Sequence, residues 1–228
     1  GTLKVMDRTS HTNLAKAWEF VEDHAFSRQS VELNAVRTRA EETGIAQGSA
    51  AQAELLRVLV HMIGAPSVIA VGTGSVVETL QLVNGLENGG QLTAVDSSSQ
   101  GIALIRTLFN HLSDEIQTTL RAVNAPAGVF LPRLNAETYD LIVVAGDPGN
   151  YDASFEQAPR LLKSHGVIVF TDMLAFESAE SAGGVLNPAN RDAKSVAMRA
   201  LLETVESDER FVTTLTPTGT GLLVAVKR

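Results

Sequence analysis

Residues Ser67 to Asp96 read SVIAVGTGSVVETLQLVNGLENGGQLTAVD, and the structural period changes three times within them. Ser67-Val68-Ile69-Ala70-Val71 is an apolar run of strand length, and Gly72-Thr73-Gly74-Ser75 follows where the chain must turn sharply. A glycine turn also lets bare backbone approach a ligand. From Val76 to Leu86 the pattern is helical, Asn88-Gly89-Gly90 breaks it, and Gln91-Leu92-Thr93-Ala94-Val95-Asp96 is a second strand ending on a carboxylate. Strand, glycine turn, helix and strand-end acid in this order predict a nucleotide-type cofactor pocket.

Helical periodicity precedes this stretch at about Leu14 to His24, Ser30 to Thr43 and Ala50 to Ile63, punctuated by Gly44 and by Gly64-Ala65-Pro66. Beyond it, Ser99 to Leu112 carries an apolar stripe at Ile102, Leu104, Ile105, Leu108 and Leu112, with Ser99 read as the cap. Thr118 to Val123 reads as a third strand, and Tyr139 to Ala145 as a buried fourth one. Gly146-Asp147-Pro148-Gly149 makes a turn, Ala153 to Lys163 a helix, Ser164-His165-Gly166 a break, and Val167 to Asp172 a fifth strand. Repeated strand-helix-strand units predict a parallel sheet with helices on both faces. The segment Ala179 to Arg191, with Gly183-Gly184, Asn187-Pro188 and Asn190, has turn chemistry and is expected to be a loop or mobile flap. After a helix at Ala193 to Glu206, two alternating runs, Phe211 to Leu215 and Gly221 to Val226, flank Thr216-Pro217-Thr218-Gly219-Thr220, a hairpin signal and hence an antiparallel pair.

The chain has 228 residues, enough for one α/β domain with a short appendage but cramped for two. Only 5% of residues are aromatic against 44% hydrophobic, which suits helices and parallel strands better than a β-sandwich. A formal net charge of −8 without a Lys/Arg cluster argues against nucleic acid as a partner. With no cysteine there is neither a disulfide nor a thiolate metal site, and no apolar run approaches the roughly 20 residues of a membrane span. The absence of a signal-type hydrophobic segment completes the expectation of a soluble, cytoplasmic protein. The histidines His11, His24, His61, His111 and His165 show no ligand spacing and read as structural or exposed. Tyr151 is expected to pack the helix after the fourth strand, and Trp18 to cover an N-terminal helix contact.

A parallel sheet that closes with an antiparallel hairpin, behind a glycine turn and a strand-end acid, resembles the class I S-adenosylmethionine-dependent methyltransferases; nicotinamide-binding folds lack that hairpin. Within the class the chain is similar to the catechol O-methyltransferase-like small-molecule O-methyltransferases, over roughly Arg39 to Arg228. Val68 to Gly74, Leu92 to Asp96, Tyr139 to Tyr151, Leu161 to Leu174 and Thr216 to Lys227 carry the likeness. It implies a Rossmann-like, doubly wound, mostly parallel seven-stranded sheet with a C-terminal antiparallel hairpin and extra N-terminal helices. Residues 1–64 would form the helical extension and 65–228 the S-adenosylmethionine-binding domain. It further implies a homodimer, a small-molecule acceptor, and cofactor contacts from Gly48, Gly72, Thr73, Gly74, Ser75, Asp96, Ser97, Ala125, Ala145 and Asp147.

The departures shape the functional expectation. Ala70 stands where the family usually has an acid before the turn, Val76 where a further glycine is expected, and Asn124-Ala125-Pro126 where Gly-Asp-Ala is usual. The family's divalent-metal carboxylates become Ala145, Thr171 and Asp172, and its catalytic lysine position holds Pro148. Mg²⁺ needs several oxygen ligands with carboxylate charge, so no metal is expected. Asp147 and Asp172 are the remaining candidates for catalytic contacts with the acceptor, although Asp147 also reads as a turn former before Pro148 and Asp172 as a cap. The leading expectation is a metal-independent S-adenosylmethionine-dependent O-methyltransferase of a small molecule. The rival is a non-catalytic member of the fold that works through binding or a partner; a dinucleotide-dependent oxidoreductase comes third, because the glycine spacing is not Gly-x-Gly-x-x-Gly.

Overall fold

Runs such as 68–71 and 141–144 are apolar on consecutive positions, so both faces of their sheet must be covered. The computed structural model, which describes residues 8–64, 66–72, 75–176 and 183–228, has that arrangement. Three helices come first, α1 (Arg8–Ser27), α2 (Val31–Glu42) and α3 (Ala50–Ile63). The alternating part follows as β1 (Ser67–Val71), α4 (Val76–Gly85), β2 (Gln91–Asp96), α5 (Ser99–Leu112), β3 (Thr119–Asn124), α6 (Ala127–Phe130), β4 (Tyr139–Val144), α7 (Gly149–Leu161) and β5 (Leu162–Phe170). The chain ends with α8 (Ala193–Glu206), β6 (Phe211–Thr216) and β7 (Leu222–Lys227).

The strands form one seven-stranded sheet in the order β3-β2-β1-β4-β5-β7-β6. Strands β1 to β5 run parallel, while β7 lies antiparallel to both β5 and β6. The expected hairpin therefore exists, and its second strand inserts between β5 and β6. Strand order reverses between β1 and β4, where an open α/β sheet leaves a crevice at the carboxyl ends of its strands.

Side chains alternate between two cores. Val68, Ala70, Leu92 and Leu141 face α3, α4 and α5; Ile69, Val71, Ile142 and Phe170 face α6, α7 and α8. Helix α3 belongs to the first of these cores through Ala53, Leu56 and Val60. It crosses α4 closely at Gly85, where a Cβ would lie 2.7 Å from the Arg57 carbonyl oxygen. Glu22 of α1 accepts the Ala50 N–H at 2.6 Å and so caps α3, an anion where the helix dipole favours one.

Several boundaries differ from the sequence reading. Helix α7 starts at Gly149 rather than near Ala153, because Asp147 Oδ1 accepts the Gly149 N–H at 2.9 Å and turns the chain directly into the helix. Ser98 rather than Ser99 caps α5, its hydroxyl accepting the Gly101 N–H at 3.1 Å. The break at Ser164-His165-Gly166 lies inside β5 as an irregularity in the β4–β5 register, with His165 at φ 66. Helix α6 was hidden by Pro126 and Pro132, yet Ala127 and Phe130 are buried. Trp18, expected to cover an N-terminal helix contact, is 41% exposed. Among the described residues no helix is long and apolar enough to cross a membrane.

The expected flap at Ala179 to Arg191 lies partly outside the described residues. Its described part, from Gly183, is held down by one side chain. The Arg199 guanidinium of α8 donates to the carbonyls of Asn190 at 2.7 Å and Asn187 at 2.6 Å, and more weakly to Val185 at 3.3 Å. A charged donor can gather carbonyls that a turn leaves without strand or helix partners. Arg199→Met should lower the unfolding free energy by about 2 kcal/mol and speed proteolysis within 183–191. Unchanged denaturation and cleavage would show that the clamp is not what holds this loop.

Candidate active site

The crevice is built where β1 and β4 end. The ladder runs to the last residue of each strand, with Gly72 N–H donating to Val95 O at 2.9 Å and Ala145 N–H to Val71 O at 2.8 Å. Gly72 has φ 87, and a Cβ there would sit 2.2 Å from the Ala145 carbonyl oxygen. Only glycine fits, on both counts. The β1 and β4 turns are thus in contact at the switch point. Thr73 and Gly74, both expected to touch the cofactor, lie outside the described residues.

On one side of this contact stands Asp96, 8% exposed at the end of β2, its Oδ1 accepting the Ser98 N–H at 3.1 Å. Ser97 is exposed beside it, and Ala125, half-buried after β3, donates its N–H to Asp96 O at 3.0 Å. The strand-end acid, Ser97 and Ala125 are therefore neighbours at the ends of β2 and β3. Ser75 immediately precedes α4 without capping it through its side chain. Gln47 takes that position instead, its Oε1 accepting the Val77 N–H at 3.1 Å. Arg37 donates to Gly48 O at 2.8 Å, which ties the α2–α3 loop to α2, and Gly48 lies beside Glu78 of α4.

Glu78 was not singled out from the sequence, where it reads as one polar residue in a helix. It is buried, and its carboxylate lies about 4.0 Å from where a Cβ on Gly48 would be. Burial pushes its pKa up to about 7, the hydrogen bond from Gln52 Nε2 opposes that rise, and the negative charge of Asp172 adds to it. The network continues across the sheet edge. Thr220 of the β6–β7 hairpin donates its N–H to Gln52 Oε1 at 3.3 Å and its hydroxyl to Asp172 Oδ1 at 2.5 Å. Gln52, Glu78 and Thr220 come from three elements far apart in sequence, so no local motif announces them.

The two acids named as catalytic candidates have different surroundings. Asp147 is exposed and forms the turn that opens α7. Asp172 follows β5 at φ 57, a left-handed backbone that Asp tolerates better than most residues. Beside it, Lys194 of α8 sets its ammonium 3.5 Å from Asp172 Oδ2. Ala145 brings only a methyl group to this corner, and the buried Thr171 hydroxyl donates to Val144 O at 2.9 Å. Among the described residues no group of three or more His, Asp or Glu side chains gathers to hold a metal ion. These strand ends do not fit a divalent cation. The Tyr151 hydroxyl is buried without a hydrogen-bond partner among the described residues, and burial pushes its pKa up, so the phenol stays protonated.

A separate cavity of about 350 Å³ lies between α2, α4 and α5, lined by Val36, Leu80, Leu104 and Leu108. It sits on the helical face and holds none of the strand-end groups, so the crevice remains the candidate site.

Comparison with known proteins gives the family and the fold. The profile of a family described as O-methyltransferase matches residues 21–228. A Mycobacterium marinum protein named "Putative O-methyltransferase" is 32% identical over 195 residues, covering 86% of this chain and 84% of that one. Among solved structures, an O-methyltransferase from Bacillus cereus in complex with SAH superposes with a TM-score of 0.77 at 20% identity, covering 93% of this chain and 99% of that one. The O-methyltransferase TomG from Streptomyces achromogenes in complex with SAM gives 0.72 at 18%, covering 93% and 97%. At such identities the superpositions establish the fold.

Glu78 gives a measurable consequence. Its folded-state pKa of about 7 lies above the ordinary 4.5 expected in the unfolded chain. The native protein therefore binds that proton more tightly, an advantage fully present below pH 4.5 and lost as pH rises through 7. The loss amounts to roughly 3 kcal/mol. Glu78→Gln should remove this decline, so that the variant gains on the wild type between pH 4.5 and pH 8 in denaturant titrations. A pH-independent difference between the two would show that the carboxyl is not perturbed by burial.

Proposed function

The chain belongs to the O-methyltransferase family, and we propose that it transfers the methyl group of S-adenosylmethionine to an oxygen of a small molecule without help from a divalent metal. The observation that carries the metal-free reading is the pair of strand ends, where Ala145 and Thr171 replace oxygen ligands and Thr171 has its hydroxyl committed to Val144. A lone carboxylate, Asp172, is too little charge for Mg²⁺.

The roles proposed for the residues follow from their places. Asp96 accepts hydrogen bonds from the ribose hydroxyls, with Ser97 and Ala125 on the adenine side. Gly48, Gly72 and Ser75 border the methionine moiety, where the N-terminus of α4 favours the carboxylate of the ligand; Thr73 and Gly74 are proposed as cofactor contacts from the family resemblance alone. Glu78, in the same corner, is suited to the ligand's ammonium, and such a partner would favour its charged form. Ala145 and Asp147 border the reacting methyl and the acceptor; Asp172 acts at the acceptor side through the groups it holds. Methyl transfer from a sulfonium is an in-line displacement, so alignment and exclusion of water are most of the task. The helices of residues 1–64 supply the wall opposite the sheet edge.

As a partner for this chain we propose a second copy of itself. Phe20 and Val21 of α1 and Met62 of α3 are exposed apolar side chains at 69%, 43% and 73%, and a monomer gains nothing by leaving them in water. A cytoplasmic location fits a chain without cysteine.

Calorimetry should give binding heat with both S-adenosylmethionine and S-adenosylhomocysteine, unchanged by Mg²⁺ or by a chelator. No heat with either ligand would overturn the methyltransferase reading, and a strict Mg²⁺ requirement would overturn its metal-free form. Asp96→Ala should weaken both ligands by roughly 10-fold or more, as expected for losing charge-assisted hydrogen bonds; equal affinity would remove the ribose role.

A further inference from the structure

Lys194 is the second residue of α8, yet its side chain turns back over the sheet edge and is only 12% exposed. Its ammonium lies 3.5 Å from Asp172 Oδ2 after β5, 3.4 Å from the Gly146 carbonyl oxygen after β4, and 5.4 Å from the centre of the Tyr151 ring on α7. Gly146 in turn packs on Gly72, since a Cβ on it would be 3.5 Å from the Gly72 Cα. One cation is thus set where the ends of β1, β4 and β5 meet.

Folding alone gives little reason for this placement. A lysine in the first turn of a helix faces the positive end of the dipole. Lysines ordinarily extend the ammonium to water, and withdrawing it has a desolvation cost. Asp172 offsets part of that, but it does so from a left-handed backbone and while accepting the Thr220 hydroxyl, with the Glu78 carboxyl behind it. Both polar contacts of the ammonium are long, so it is not locked into a tight ion pair. The same corner is the one from which the metal ligands are missing.

We propose that the Lys194 ammonium takes the electrostatic place of a divalent cation, receiving the acceptor oxygen as an oxyanion, and that the acceptors are therefore phenols acidic enough to ionise near neutral pH. This rests on the methyltransferase reading above. The phenol gives its proton to solvent on binding. A lone pair of the phenolate oxygen forms the new O–CH₃ bond, and the pair of the broken C–S bond returns to sulfur as a neutral thioether. Asp172 is the positioning residue that holds the Lys194 side chain beside the acceptor oxygen.

The test uses the full chain, S-adenosylmethionine and a series of para-substituted phenols of graded acidity, with Lys194→Met and Lys194→Arg beside the wild type. Removing one preorganised oxyanion partner should lower kcat/KM by roughly 100-fold for the weakly acidic phenols. The loss should shrink for phenols already ionised in solution, with cofactor affinity unchanged and Lys194→Arg retaining most activity. The absorbance of bound 4-nitrophenol, which reports its ionisation, should show more phenolate on the wild type than on Lys194→Met at one pH. A loss equal across the series, or identical nitrophenol spectra, would overturn the proposal. A wild type that binds the cofactor but methylates no phenol would overturn it too while leaving the methyltransferase reading intact; a wild type that binds no cofactor removes both. Should Lys194→Met fail to fold, Lys194→Gln replaces it in the same spectra, where a phenolate signal equal to the wild type would overturn the proposal.

Discussion

The close passage of Gly72 against the Ala145 carbonyl is the constraint on which the working end of the molecule depends. A side chain at Gly72 would require the β1 and β4 turns to separate. Their contact keeps the sheet edge narrow at the point where strand order reverses, and the crevice that opens there is flanked by the ends of β2 on one side and β5 on the other. Asp96 and Asp172 are thereby assigned opposite banks. The first is backed by the Ser98 N–H, and the second by Thr220 and Lys194.

A chain of polar contacts spans the far bank. Glu78, Gln52, Thr220, Asp172 and Lys194 join α4, α3, the hairpin, the end of β5 and α8. In a low-dielectric setting such a chain is costly if any member lacks its partner, and it ties distant elements to one geometry when all are satisfied. The C-terminal hairpin is therefore more than an edge of the sheet: it delivers Thr220 between a carboxamide and a carboxylate. Helix α3 likewise combines two tasks, burying Leu56 and Val60 against the sheet and presenting Gln52 to the site.

Much of the fold was readable along the chain because the central strands β1 and β4 are nearly continuous apolar runs, the hairpin strands alternate, and the helices carry interrupted apolar stripes. The glycine turn, Asp96 and the hairpin could be placed from spacing alone. The errors have physical causes. Asp147 closes its turn within two residues and starts α7 early; Pro126 and Pro132 mask a short buried helix; and His165 and Gly166 signal a break where the strand only bulges. The segment before α8 was legible as a loop from its Gly and Asn content, but that Arg199 of α8 gathers the carbonyls of its described part was not, because the guanidinium comes from the following helix.

By itself the sequence determined the alternation of strands and helices and the strand ends at which the glycine turn and Asp96 stand, since these follow from residue type and local period; that Ala145 and Thr171 stand at metal-ligand positions is what the family resemblance implied. Only the tertiary structure decided that Glu78 is buried with a raised pKa and that Lys194 lies against Asp172, because burial and charge pairing arise between residues brought together from 78 to 220. A carboxylate or an ammonium has the same pattern in a sequence whether it faces water or a protein interior. The neighbours that set its chemistry appear only when the sheet edge closes.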